Sequence, residues 1–502
     1  MSSKLRYIGR TSFLQEVATM KAQSTENDTD NNVPNKGHGA KRRDLFTFCN
    51  DGLIVGENYL ETLPVFNKLP GFGKFFFAQI QVALILRFAV FGDSWEPSYP
   101  RNDNHNMTLF WALHGVLLVA SILTWTHKPR ERVTLLSREQ TEEWKGWMQF
   151  SFIMYHYYRA WSAYNWIRVF VSSYVWMTGF GNFLYFDKKK DFGIQRVVSM
   201  FIRINYFPLL LSWATGVSID LYYVVPLHTT GFFMTYLTCL LAVKLEEKAK
   251  LNYMRSRVLA IAISFLVQIL FFETKAVDSL LFFSDELHFR FQADKYSAVL
   301  GIVSGLSMKK ASEYITWAYA SDHRCGVQMS QCIIGAVLIW LWYATYGHIQ
   351  DKFAYNPAHP YIFICPLLGW LMLRNSSRYL CEHHSGFLEF LGRNTLETYV
   401  LQFHLFMNHS VQFIPVVIPG SGADGIVALR VLNMLTCGTI FVLVAVWARK
   451  VTVTTQNTVV GFMQHFSGAA PKAPVVAVAV DEAVELIKID ARKRDGDEFE
   501  SA

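Results

Sequence analysis

The chain has 502 residues, of which 52% are hydrophobic, 15% aromatic and only 17% charged. Soluble domains carry nearer a quarter of their residues as charges, so this composition excludes an ordinary water-exposed globule and points to lipid as the solvent. The formal net charge of +7 does not point to nucleic acid, because the basic residues recur between apolar runs and never gather into one patch.

Residues 1–70 read as a disordered cytosolic tail and approach segment. The run Ser24-Thr-Glu-Asn-Asp-Thr-Asp-Asn-Asn32 cannot bury enough apolar surface to fold, and Lys41-Arg42-Arg43 after it is a cytosolic anchor. No charged–apolar–small signal peptide occurs in this stretch, so targeting is expected from the first spanning helix.

Residues 71–450 carry the apolar runs, at 74–91, 108–126, 147–161, 166–186, 201–219, 223–243, 258–272, 296–308, 329–347, 360–373, 396–417 and 426–448. Several are shorter than the roughly 20 residues that a lone spanning helix needs, so tilted, re-entrant or shielded segments are expected among them. The predicted fold is all-α, a polytopic transmembrane bundle of about 10–12 spans. Loops rich in Lys and Arg alternate with loops poor in them. Lys128, Arg130, Arg132 and Arg138 lie in one basic loop, Lys188, Lys189, Lys190 and Arg196 in another, and Arg374, Arg378 and Arg393 in a third. By the positive-inside rule both termini are cytosolic. Residues 451–502 are expected to form a cytosolic tail with a short amphipathic helix around 480–489. The seven cysteines include no CxxC pair, so neither a disulfide framework nor a zinc site is supported.

Chemistry is concentrated in Lys145-Gly-Trp-Met-Gln-Phe-Ser-Phe-Ile-Met-Tyr-His156-Tyr-Tyr158. Eleven residues of helix place His156 about 16 Å beyond Lys145, near mid-membrane if Lys145 marks the cytosolic rim. An imidazole there is costly unless it faces a cavity or a partner. It suits a general base for a sugar hydroxyl, and equally a bundle histidine donating to a neighbouring carbonyl. Two blocks, Gly92-Asp-Ser94 and Asp285-Glu-Leu-His288, mimic the GDS and DxxH signatures of SGNH hydrolases. Such a site needs a soluble α/β sheet, and here several spans intervene, so Ser94 is not expected to be a nucleophile. His114 reads as structural. No metal-ligand cluster or P-loop occurs, and Gly71-Phe-Gly73 is too short for a dinucleotide fingerprint.

The Lys-x10-His spacing ending in Tyr-His resembles the signature of the acyltransferase-three superfamily of membrane O-acyltransferases. Closer similarity is carried by Glu142-Glu-Trp-Lys-Gly-Trp-Met-Gln149, Tyr174-Val-Trp-Met-Thr-Gly-Phe-Gly-Asn-Phe183, Tyr222-Tyr-Val-Val-Pro-Leu-His-Thr229, His288-Phe-Arg290 and Leu391-Gly-Arg-Asn-Thr-Leu-Glu-Thr-Tyr-Val-Leu-Gln-Phe-His404. These resemble the ten-transmembrane acyltransferase domain of the capsule-acetylation family, which includes plant reduced-wall-acetylation proteins, fungal capsule O-acetylation proteins and the animal sialic acid O-acetyltransferase. The resemblance implies a Golgi membrane protein that uses acetyl-CoA as donor and a glycan hydroxyl as acceptor. It implies His156, His228 and His404 as the catalytic candidates. Lys145, Lys188, Lys189, Lys190, Arg196 and Arg203 are the basic residues expected to hold the donor's phosphates. Asn182, Asp220, Arg290 and Glu397 are the candidates for binding the acceptor. Glu397 lies seven residues before His404 on one helical face, where it would orient a histidine or pair two helices. Animal and fungal members carry an SGNH-like domain ahead of the membrane part. Here barely 70 mostly polar residues precede the first span, as in the plant members, which are associated with separate SGNH-type transferases. The expected activity is therefore glycan O-acetylation, with transport of acetyl-CoA or acetyl to a separate transferase as the alternative.

Overall fold

Which helices meet lipid follows from where the large apolar side chains point. In helix α1 (Phe72–Asp93) the residues Phe76, Ile80, Leu84, Phe88 and Phe91 form an exposed stripe at helical spacing. Helix α2 (Met107–Leu123) exposes Trp111, Val116, Val119 and Leu123. Faces of this size left bare in water would aggregate, and in a bilayer they are solvated by acyl chains.

The computed structural model describes residues 71–128, 135–274 and 284–467, all within one compact unit. The expected N-terminal tail and the expected amphipathic helix at 480–489 lie outside the described residues. After α2 come α3 (Arg138–Tyr157), α4 (Tyr164–Lys189), α5 (Ile194–Thr215), α6 (Val224–Lys248) and α7 (Tyr253–Glu273). They are followed by the short α8 (Asp285–Asp294), then α9 (Ser297–Ala320), α10 (Arg324–Gly347) and α11 (Ile364–Arg374). The last are α12 (Gly386–Arg393), α13 (Thr395–Leu401) and α14 (Val427–Phe466), which runs on past the expected boundary at 450. The chain is thus an all-α bundle. Among the described residues six helices, α1, α5, α6, α7, α10 and α14, are long and apolar enough to cross a membrane.

Helices α3 and α4 are different in kind. They are long, more polar, and buried along much of their length, with Trp144, Met148, Arg168, Ser172 and Trp176 all inside. Helix α3 starts at a capping box, in which Ser137 Oγ accepts from the Gln140 amide (3.2 Å) and the Ser137 amide donates to Gln140 Oε1 (3.0 Å). It then crosses α12 at a point where backbones touch. A Cβ on Gly392 would run into the Glu142 carbonyl oxygen, and one on Gly146 into that of Leu388. Helices α4 and α9 meet in the same way at Gly179 and Gly301.

Two small antiparallel pairs tie the loops at opposite ends of the bundle. Strand β1 (Ser98–Pro100) pairs with β4 (Phe413–Pro415), and β2 (Trp125–His127) pairs with β3 (His383–Ser385). The β1–β4 pair corrects one expectation, that 396–417 is a continuous span. Helix α13 gives way at Leu401 to a π-helical turn, Gln402–Phe406, and the chain then bends through residues His409, Ser410 and Val411 with positive φ. The bend holds because its polar groups find protein partners: Asn408 Nδ2 donates to the Trp95 carbonyl (2.8 Å), and the His409 amide to that of Asp93 (3.0 Å).

Helix α3 begins at Arg138 and ends at Tyr157, so His156 occupies its last turn. The Tyr157 carbonyl accepts from Asn104 Nδ2 (3.0 Å) in the turn that precedes α2. His156 therefore lies at the end of the bundle where α1 finishes in Asp93.

Candidate functional site

Two histidines show what a structural and an available imidazole look like in this bundle. His114 engages both ring nitrogens, Nδ1 at 2.7 Å from the Phe110 carbonyl and Nε2 at 2.9 Å from Ser151 Oγ. His156 engages neither with any described residue, and its ring keeps partial exposure. Its neighbours are aromatic: the rings of Phe152, Tyr155 and Phe403 stand edge-on at centroid distances of 4.6, 5.1 and 5.9 Å. This cage fixes the plane of the imidazole and leaves its nitrogens free.

Cationic groups surround that cage. The charges of Arg101 and Arg290 both reach His156. Arg290 lies 4.3 Å over the Tyr223 ring and donates through Nε to Glu286 (2.7 Å). Arg159 lies 4.9 Å over Trp161. Burial, and then the like charge of Arg159, push the Arg101 guanidinium below its ordinary value. Guanidiniums and flat rings around a free imidazole can take up anionic and planar groups.

The residue after Phe403 builds a second element at the same end. His404 is fully buried in the π turn. Its Nδ1 lies 2.9 Å from Asp93 Oδ1, and its Nε2 bonds the Tyr222 hydroxyl. Asp93 Oδ1 also accepts from the Ser410 amide (3.0 Å), which holds the carboxylate in place. The approach is close, because a Cβ on Gly92 would meet the His404 carbonyl. Asp93 belongs to the block set aside as a mimic of a hydrolase signature. Its serine caps the helix: Ser94 Oγ donates to the Val90 and Phe91 carbonyls (3.1 and 3.2 Å).

The other candidates gather elsewhere. His228 Nδ1 is 2.5 Å from Thr178 Oγ1, one turn before Asn182, whose Nδ2 donates to the Thr178 carbonyl (2.9 Å). Asn182 Oδ1 is buried without a partner. The charge of Lys145 reaches His228, and the Tyr174 hydroxyl donates to the Lys145 carbonyl (2.6 Å). His228 thus belongs with Lys145, about 16 Å along α3 from His156. Arg203 sits in the π turn Ile202–Tyr206 of α5 and grips Glu397 through two contacts, 2.5 and 3.3 Å. Glu397 is fully buried, and its ion pair with Arg203 ties α13 to α5. Lys188, Lys189 and Lys190 end α4, with Lys190 3.5 Å from Asp187. Arg196 is buried with its guanidinium 3.9 Å over Tyr185. Asp220 lies in the 3₁₀ turn Ile219–Tyr222, two residues before the partner of His404.

Sequence reading passed over a third polar group. Arg168 bonds Asp294 Oδ2 (2.9 Å), Asp294 Oδ1 accepts from Ser172 Oγ (2.5 Å), and Ser172 Oγ lies 2.7 Å from His359 Nε2. His359 Nδ1 in turn meets the Tyr355 hydroxyl at 2.9 Å. Every one of these side chains is buried, and together they clamp α4, α8 and the segment before α11. Among the described residues no group of three or more His, Cys, Asp or Glu could hold a metal ion.

Comparison with known proteins finds a family and curated relatives. Residues 13–467 match the family described as the 10 TM Acyl Transferase domain found in Cas1p. The chain is also similar to a Danio rerio protein named N-acetylneuraminate (7)9-O-acetyltransferase, at 28% identity over 334 residues. That alignment covers 62% of this chain and 41% of the relative, so the chain spans well under half of that protein's length. No solved structure matches.

Proposed function

The chain belongs to the family of ten-transmembrane acyl transferase domains found in Cas1p, and from that premise we propose that it is a glycan O-acetyltransferase. Acetyl-CoA is taken as donor at the Lys145 end, facing the cytosol. The acceptor hydroxyl is presented at the His156 end, facing the Golgi lumen, where an anionic sugar such as a sialic acid fits the arginine-rich mouth.

The observation that carries this reading is the caged His156 ring with unengaged nitrogens beneath Arg101 and Arg290. His156 removes the proton as the sugar oxygen attacks the thioester carbonyl. The C–S bond then breaks, and the same imidazole returns the proton to the leaving thiolate. Nothing in these steps consumes a metal or a redox partner. Asp93, His404 and Tyr222 hold the floor of the site through Phe403. The Asp93–His404 contact follows the general pattern of a carboxylate fixing an imidazole's tautomer.

The test uses full-length protein in liposomes, supplied with labelled acetyl-CoA outside and sialylated or neutral glycans inside. Label on the glycan is expected, and His156→Ala should reduce it by a factor of about 100 or more, the usual contribution of a general base. Full activity in a normally folded His156→Ala protein would remove the proposed base. Free acetyl-CoA accumulating inside, with no glycan labelled, would instead favour transport to a separate SGNH-type transferase.

A further inference from the structure

Helix α14 carries one cation that the bundle leaves unpaired. Arg449 follows Ala445 and Ala448 and precedes Thr452, Thr455 and Gln456, all buried residues on the packed face of the helix. Its Nε is buried without a hydrogen-bond partner, and it makes no ion pair with any described residue. The charged groups that act on it are Arg203, Glu397, Glu142 and Arg393. Of the two carboxylates, Glu397 is already held through both oxygens by Arg203, and Glu142 is held by Lys145 at 2.8 Å.

The helices' register explains how these groups come together. Gln456 Nε2 donates to Ser199 Oγ (2.8 Å), fixing α14 against α5. Arg203 is one turn beyond Ser199, and Arg449 is two turns before Gln456, and the charge of Arg203 reaches Arg449. Glu397 on α13 stands beside both. Lys145, Arg203, Arg393 and Arg449 therefore gather about Glu142 and Glu397, an excess of two positive charges around a half-buried guanidinium. A polyanion placed here would meet two neighbouring guanidiniums and satisfy the buried Nε–H of Arg449.

We propose that Arg449, with Arg203 and Lys145, forms the seat of the donor's pyrophosphate, and that Arg449 is the residue whose free guanidinium makes that seat selective for a phosphorylated thioester. The inference rests on the donor reading given above and adds a residue to it. Arg203 is fixed by Glu397, so it supplies a preset charge, whereas Arg449 is the group available to close on the ligand.

Full-length protein in nanodiscs separates the possibilities. Binding of acetyl-CoA, of S-acetyl-pantetheine, which lacks the pyrophosphate, and of inorganic pyrophosphate is measured for the wild type, Arg449→Gln, Arg449→Lys and Lys450→Gln. In Arg449→Gln the acetyl-CoA Kd is expected to rise about tenfold or more, the size of one lost charge-assisted contact, with S-acetyl-pantetheine unchanged. Arg449→Lys should recover part of the loss. Lys450→Gln removes the same charge from the neighbouring exposed position and should stay within about twofold of wild type. Equal affinity of wild type and Arg449→Gln for both acetyl-CoA and pyrophosphate would overturn the proposal, as would a parallel loss for S-acetyl-pantetheine. If the wild type binds pyrophosphate through Arg449 but not acetyl-CoA, the anion seat stands and the donor reading falls.

Discussion

A histidine's role in this bundle is decided by what its two nitrogens already do. His114 spends both on Phe110 and Ser151, His404 spends both on Asp93 and Tyr222, and His156 spends neither. The first is a structural group, the second a fixed one, the third an available one. It follows that Asp93→Asn should lower acetyl transfer by roughly ten- to a hundredfold while leaving acetyl-CoA affinity within a factor of about two, because it frees His404 to turn and so loosens the Phe403 wall of the His156 cage. Ser94→Ala, one residue on, loses only a helix-capping hydroxyl and should retain activity; initial rates on a single glycan acceptor check both. Adjacent positions with opposite outcomes would separate the histidine relay from any hydrolase-like chemistry of the same block.

At the scale of elements, helix contacts are made by glycine and by buried charge. The α3–α12 crossing leaves no room for a methyl group at Gly392, so Gly392→Ala must move one helix relative to the other. A loss of about 1–3 kcal/mol is expected, seen as a lowered midpoint in a detergent-based thermal melt. The α8 contact is polar. Asp294 pairs with Arg168 and accepts from Ser172, and Arg290 stands one turn earlier on the same short helix. Asp294→Asn leaves Arg168 buried and uncompensated, which costs on the order of 3–5 kcal/mol. Acceptor KM should rise in this variant more than kcat falls, because α8 positions Arg290 over the mouth. The double change Arg168→Met with Asp294→Leu should recover stability, but not acceptor affinity if Arg290 shifts. Of the two π turns that carry site residues, Ile202–Tyr206 with Arg203 lies inside α5, and Gln402–Phe406 with His404 ends the run begun by α13. Such insertions rotate one side chain out of register, and they cluster at functional sites.

For the molecule as a whole, the two ends of the bundle carry different chemistry, joined by α3. One end has His156, Arg101 and Arg290; the other has Lys145, Arg203 and Arg449. If donor and acceptor approach from opposite faces, cysteines placed at Asp103 and at Lys189 should react with a membrane-impermeant maleimide from opposite sides of sealed vesicles. Labelling of both from one side would refute that arrangement. Composition and hydropathy by themselves determined that the chain is an all-α membrane protein, since lipid allows the backbone few other ways to satisfy its polar groups. The ordered motifs likewise determined the family, because they set residue types at fixed spacings. Spacing alone could not place His156 in the last turn of its helix: that depended on where α3 ends, beside Asn104, whose side chain meets the Tyr157 carbonyl. Nor could it join Asp93 to His404, 311 residues apart, or bring Arg203 to Glu397 across 194. Periodicity reports which face of one helix is buried, and only the packing of several helices decides which buried groups meet.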